Sequence, residues 1–155
     1  MANKPPDMTL KAIGTVRNEI RQPRHRNWGE TVSEIVIDAG LTEALDRLDE
    51  FSHIIVLYWM HKAAGGQPAA RVHPRGRREA PLVGLFATRS PNRPNPVGQT
   101  TVRLLERRGN ILKVKGLDAI DGSPVIDIKP YLPGYDSPAD AGVASWITIC
   151  HETGH

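Results

Sequence analysis

Apolar positions recur along the chain in short runs: Leu10 to Val16, Val32 to Ile37, Ile54 to Met60, Leu82 to Ala87, Thr100 to Leu105, Ile111 to Leu117, Val125 to Ile128 and Trp146 to Cys150. Runs of this length, several of them rich in Val, Ile and Thr, predict strands, because β-branched side chains suit a pleated surface and lose rotamer freedom in a helix. Leu112 and Val114 alternate with Lys113 and Lys115, the pattern of a strand with one wet face. His53 to Met60 is apolar almost throughout and predicts a strand covered on both faces. One segment has helical spacing: Thr42 offers a cap, Glu43 opens the turn, and Ala44, Leu45 and Leu48 form an apolar stripe. About eight short strands with one short helix predict a mainly β chain closed into a small β-barrel or folded sheet. An α/β sheet would need a helical crossover between most of its strands.

Composition narrows the setting. The 155 residues suit a single domain, with the apolar (39%) and charged (24%) fractions of an ordinary globular chain. Cys150 is the only cysteine, which excludes an intrachain disulfide and fits a reducing, cytoplasmic compartment. Met1 to Asp7 is polar, and the longest apolar run, Ile54 to Met60, is far too short to cross a bilayer, so neither signal nor membrane anchor is expected. The net charge of +3 is unevenly placed. Between Lys62 and Arg93 stand seven basic residues, Lys62, Arg71, Arg75, Arg77, Arg78, Arg89 and Arg93, against Glu79 alone. That window carries +6 and leaves −3 for the rest. Such a field suits a polyanion such as RNA, or a ligand phosphate or carboxylate; a solvated loop explains it equally well.

Two segments interrupt the strands. Residues 63–81 hold Gly65, Gly66, Gly76, Pro68, Pro74 and Pro81 among clustered arginines, which predicts a mobile basic loop. Thr88 to Gly98 holds Pro91, Pro94 and Pro96, which pre-set the backbone while Arg89, Arg93, Asn92 and Asn95 supply polar groups. A preordered loop loses little entropy on closing around a ligand, although a structural corner has the same composition. Further on, Gly116 to Tyr131 reads as two strands joined by a hairpin turn at Asp121-Gly122. Asp118 and Asp127 fall in apolar surroundings there and should each meet Arg, Lys or a ligand. Asp127, Lys129 and Tyr131 share one face by their spacing of two.

These segments make the chain recognisable. Leu48-Asp49-Glu50-Phe51-Ser52-His53-Ile54 running into Leu57-Tyr58-Trp59-Met60-His61, then Gly84 to Gly98, then Asp118-Ala119-Ile120-Asp121-Gly122-Ser123-Pro124-Val125-Ile126-Asp127-Ile128-Lys129-Pro130-Tyr131, follow one another in order between Thr9 and Asp140. In these runs the sequence resembles the YaeB-like (TsaA, TrmO) family of tRNA threonylcarbamoyladenosine methyltransferases. The resemblance implies a dimeric β-barrel enzyme that binds S-adenosyl-L-methionine without a Rossmann domain, in keeping with the absence of any G-x-G-x-x-G. It carries the cofactor contacts to Pro23-Arg24-His25, His61, Lys62, Arg89, Gln99 and Lys115-Gly116-Leu117-Asp118. The family's early loop usually reads Pro-Arg-Gln, whereas here His25 follows Arg24. Longer members add a C-terminal domain implicated in holding tRNA, so the resemblance speaks more directly to the cofactor than to the tRNA.

On that resemblance the exocyclic nitrogen of threonylcarbamoyladenosine is the acceptor, and positioning supplies most of the acceleration. Asp127 and Tyr131 are the candidates for orienting the acceptor or removing its proton, Lys129 for its acidic substituent, and Arg75, Arg77, Arg78 and Arg93 for substrate phosphates. The same chemistry on a small molecule or another RNA, or a non-catalytic cofactor- or RNA-binding module, are the alternative readings. His151-Glu152-Thr153-Gly154-His155 matches H-E-x-x-H literally, but a glycine inside it works against the helix that such a zinc site needs, and a polar tail is the expectation. His53 and His61 read as hydrogen-bonded histidines, Trp59 and Trp146 as core, and no metal site is expected.

Overall fold

A computed structural model describes residues 3–23 and 27–148. Arg24, His25, Cys150 and the His151 to His155 tail therefore lie outside the described residues. Six strands close into an antiparallel barrel: β1 (Gly14–Arg17), β2 (Val32–Ile37), β3 (His53–Trp59), β6 (Val97–Arg108), β7 (Ile111–Lys115) and β8 (Pro124–Pro130), in the order β1-β2-β7-β6-β3-β8. The remaining two, β4 (Arg71–Val72) and β5 (Val83–Gly84), pair only with each other. The mainly β barrel and six of its expected strands are therefore present.

Alternation builds the core. Val16, Ile35, Ile37, Ile54, Val56, Tyr58, Val102, Leu112, Val114 and Val125 are buried together with Leu45, Leu117 and Ala119. Each buried aliphatic side chain contributes about 1.5–3 kcal/mol relative to exposure. On β3, Ile54, Val56 and Tyr58 are buried, and Ile55 on the opposite face is buried too, so this strand is covered on both sides over its middle. β6 is the long strand of the barrel; its register against β7 shifts between Leu104 and Glu106.

Four expectations are corrected. The helix at Thr42 is a 3-10 helix over Ala39–Leu45, capped by the Asp38 carboxylate, which accepts from Gly40 N; the Thr42 hydroxyl instead donates to the Ala39 carbonyl at 2.7 Å. Leu82 to Ala87 yields only the two residues of β5 before a 3-10 turn at Leu85–Ala87. Trp146 to Thr148 is not strand: a turn at Ser145 and Trp146 runs into helix at Ile147 and Thr148, with Ile147 N bonded to the Ala144 carbonyl at 3.1 Å. Asp121-Gly122 does not join a hairpin, because β7 and β8 are not neighbours in the barrel. Gly122, at φ 82°, instead turns the crossing segment so that Asp121 N reaches the Ile20 carbonyl (2.7 Å) and Gly122 N the Val16 carbonyl (2.8 Å).

The 63–81 segment belongs to a longer excursion that leaves β3 and returns into β6, with Met60 N donating to the Pro96 carbonyl at 2.8 Å across its base. It is built around the β4–β5 ribbon, with Pro74, Ala80 and Leu85 buried within it and His73 Nδ1 3.0 Å from the Ala80 carbonyl oxygen.

Candidate functional site at one mouth of the barrel

The antiparallel order puts the last residues of β1, β3 and β7 and the first residues of β2, β6 and β8 at one mouth. Three connections therefore meet there: the loop after Arg17, the excursion from Met60 to Pro96, and the crossing from Gly116 to Ser123. Hydrogen bonds knit them together. Asn18 Nδ2 donates to Ser33 Oγ (2.9 Å) and to the Ala119 carbonyl (2.8 Å), while its own Oδ1 accepts from Ile20 N (2.9 Å). Asp121 accepts from Asn18 N at 3.0 Å and pairs with Arg21. Lys62 Nζ donates to the Arg21 carbonyl, tying the excursion to the early loop.

The structure brings several of the candidate cofactor residues to this mouth. His61 and Lys62 directly follow β3, and His61 packs against the 120–122 turn, its Nε2 3.9 Å from where a Cβ on Gly122 would stand. Its Nδ1 is buried with no hydrogen-bond partner among the described residues. Lys115 pairs with Glu30 at 2.8 Å, Gly116 N bonds the Thr31 carbonyl at 2.9 Å, and Leu117 is fully buried. Among the described residues, Asp118 meets no Arg or Lys. One oxygen, Oδ1, accepts from the Tyr58 hydroxyl at 2.6 Å and from the Thr100 hydroxyl. The Tyr58 hydroxyl also lies 3.1 Å from the Asp118 carbonyl oxygen. Burial first, and then the neighbouring Asp118 carboxylate, push the Tyr58 phenol well above its ordinary value, so it stays protonated as a donor. Sequence reasoning passed over Tyr58 and Thr100. Their inward direction, two residues apart in register from the buried run of β3, was the available signal.

The arginines of the excursion separate into two kinds. Arg93 donates to the Thr88 (3.0 Å) and Ser90 (3.1 Å) carbonyls and lies 5.8 Å over the Phe86 ring, so it braces the proline-rich loop instead of presenting its charge. Arg89 is exposed, as are Arg71, Arg75 and Arg78, whereas Arg77 is half-buried and 3.7 Å from Glu79. All of them sit on the excursion rooted at the mouth. Pro23 is exposed at the end of the described part of the early loop.

Asp127, Lys129 and Tyr131 lie elsewhere. Asp127 and Lys129 stand opposite Leu57 and Ile55, outside the barrel, and pair with each other at 2.9 Å, an exposed contact that holds the Lys129 amine above its ordinary value through the Asp127 hydrogen bond and charge. Asp127 also borders a cavity of about 370 Å³ against Ile13, Leu45, Phe51 and Pro130. Tyr131 N bonds the His53 carbonyl at 3.1 Å, and its ring meets His53 edge-on at 6.4 Å. His53 opens β3 whereas His61 lies just beyond its last residue, Trp59, so Tyr131 sits at the opposite end of that strand from the mouth. Gln99, paired with Leu57 on β6, is exposed.

A small closed barrel that gathers at one mouth a carboxylate, a buried imidazole nitrogen without a partner among the described residues and a basic excursion is a β-barrel domain with a candidate ligand site, a class apart from the nucleotide-binding α/β sheet. Residues 15–137 match the model of the tRNA-methyltransferase O N-terminal domain, and the chain belongs to that family. An S-adenosyl-L-methionine-binding protein of Archaeoglobus fulgidus is 47% identical over 133 residues, covering 83% of this chain and 93% of that protein. The tRNA (adenine(37)-N6)-methyltransferase of Mus musculus is 44% identical over 96 residues, 62% of this chain but only 22% of the mouse protein. The crystal structure of TrmO from Pseudomonas aeruginosa superposes with a TM-score of 0.70 at 30% identity, over 88% of this chain and 62% of that one. The chain thus spans less than two thirds of that solved relative.

Proposed function

We propose that the chain is a cytoplasmic, S-adenosyl-L-methionine-dependent methyltransferase that methylates the exocyclic nitrogen of threonylcarbamoyladenosine in tRNA. The observation that carries the reading is the convergence at one mouth of His61, Lys62 and Lys115 to Asp118 with the root of the basic excursion, in a family with cofactor-binding and tRNA-modifying relatives. The residues present fit such a ligand. Among the described residues, His61 Nδ1 is a buried polar atom lacking a partner and Asp118 offers a second oxygen without one, suited to a donor group on a positively charged molecule. When bound, S-adenosylmethionine supplies an electrophilic methyl carbon. The chain's part is to hold the cofactor at His61, Lys62 and Asp118, with Arg89 on the excursion, and to attract tRNA phosphates through Arg75, Arg77 and Arg78.

In this reading Asp127 and Tyr131 reach an acceptor only from a second copy, so the working enzyme is a homodimer in which Lys129 meets the acidic substituent. Methyl transfer from labelled cofactor into tRNA bearing the modified adenosine tests the activity. Asp127→Asn and Asp118→Ala, each inactive alone, should recover about a quarter of wild-type activity when mixed and re-associated, because half of the dimers then hold one intact site. No recovery removes the shared site, and full activity of Asp127→Asn alone removes its catalytic assignment.

A further inference from the structure

The Asp118 carboxylate is held from beneath by the barrel's own core. Tyr58 and Thr100 both point inward from paired strands, with Val56 opposite Thr100 and Tyr58 opposite Gly98. Tyr58 is only 3% exposed, although its hydroxyl reaches the exposed Asp118 at the rim. Both hydroxyls converge on Oδ1, and the Tyr58 and Thr100 hydroxyls also interact with each other. A carboxylate on a loop ordinarily rotates freely. Two donors on one oxygen fix the plane of this one and leave Oδ2 turned away from them. Gly98 belongs to the same device: a Cβ there would stand 2.3 Å from Tyr58 Cζ and 2.7 Å from its hydroxyl oxygen, so the phenol occupies the space that a side chain at 98 would take. The inward pattern of β3 calls only for a large apolar residue at 58. Phenylalanine would fill it, and the hydroxyl is surplus to packing.

We infer that Tyr58 and Thr100 are positioning residues of the cofactor site, acting through Asp118 by presenting Oδ2 to a hydrogen-bond-donating group of S-adenosylmethionine. The inference rests on the cofactor reading above. Because the phenol stays protonated, it remains a donor to Oδ1.

Titration calorimetry with S-adenosylmethionine on the full chain tests it. Tyr58→Phe and Thr100→Val should each weaken binding about tenfold, the scale of a hydrogen bond to a charged group, while Thr100→Ser keeps wild-type affinity. In an Asp118→Ala background, already weakened, Tyr58→Phe should change affinity less than about twofold, since the group through which it acts is gone. A purely structural Tyr58 would lower the melting temperature and leave affinity unchanged in both backgrounds, which overturns the inference. Thr100→Val carries the same test if Tyr58→Phe does not fold. Wild-type protein that binds no S-adenosylmethionine overturns the cofactor reading itself and this inference with it. Wild-type binding matched by both variants overturns the inference alone.

Discussion

Gly98→Ala is the smallest change with a large expected consequence. The added methyl would stand 2.3 and 2.5 Å from Tyr58 ring carbons, far inside contact distance, in a core whose neighbours Val56, Val102 and Val125 are essentially inaccessible. Gly98 lies directly opposite Tyr58 in the β3–β6 ladder, so the added methyl meets the ring of its own cross-strand partner, and a packed phenol has no easy way to yield. Overpacking of this kind costs about 1–3 kcal/mol. Displacing the ring also stretches the 2.6 Å hydrogen bond to Asp118, and a bond to a charged group contributes about 1.5–3 kcal/mol when lost outright. Taking a partial loss, the total is about 3 kcal/mol, and at about 2–4 °C per kcal/mol the melting temperature should fall by about 6–12 °C in a circular-dichroism melt. The cause is checked by a double mutant: in a Tyr58→Val background, where the ring is gone, adding Gly98→Ala should cost less than about 1 kcal/mol more. A Gly98→Ala protein melting within about 2 °C of wild type would refute the packing argument.

Two further outcomes follow from the same end of the barrel. Tyr58 has a folded pKa raised above the ordinary 10.0, so its contribution to stability is complete below pH 10 and is lost as the unfolded chain's tyrosine ionises above it; relative to Tyr58→Phe, wild type should lose about 1.4 kcal/mol per pH unit above pH 10 in denaturant titrations, and parallel curves would contradict the burial of a protonated phenol. Asn18→Ala removes three hydrogen bonds that tie the early loop to Ser33, Ala119 and Ile20 and leaves the buried Ser33 hydroxyl without that donor; a loss of about 2 kcal/mol and faster amide exchange at Ile20 are expected, whereas a change under about 0.5 kcal/mol would mean the loop is held by other contacts.

What could be read from the chain alone divides along the range of the interactions involved. Strands such as Val32–Ile37 and Ile111–Lys115 were legible because alternation is local and one wet face repeats every second residue. The Asp121-Gly122 turn was read as a hairpin because a turn dipeptide reports its own backbone and not which strands lie beside it. In the barrel the strand after it pairs with β1 and β3, leaving Asp121 to hold Asn18, about a hundred positions away. The candidate site suffered the same limit. His61, Lys62 and Asp118 were named through resemblance, whereas their partners Asn18, Tyr58 and Thr100 look in sequence like an ordinary loop residue and two ordinary strand residues. Asp127, Lys129 and Tyr131 were grouped by their spacing of two. That spacing brings Asp127 and Lys129 into an ion pair on the barrel's outer face, yet it says nothing of distance along the barrel, where Tyr131 belongs to the His53 end and Asp118 to the opposite mouth. Periodicity assigns a residue to a face; only closure of the barrel assigns it to an end, and in this protein the groups proposed to hold the cofactor gather at one end.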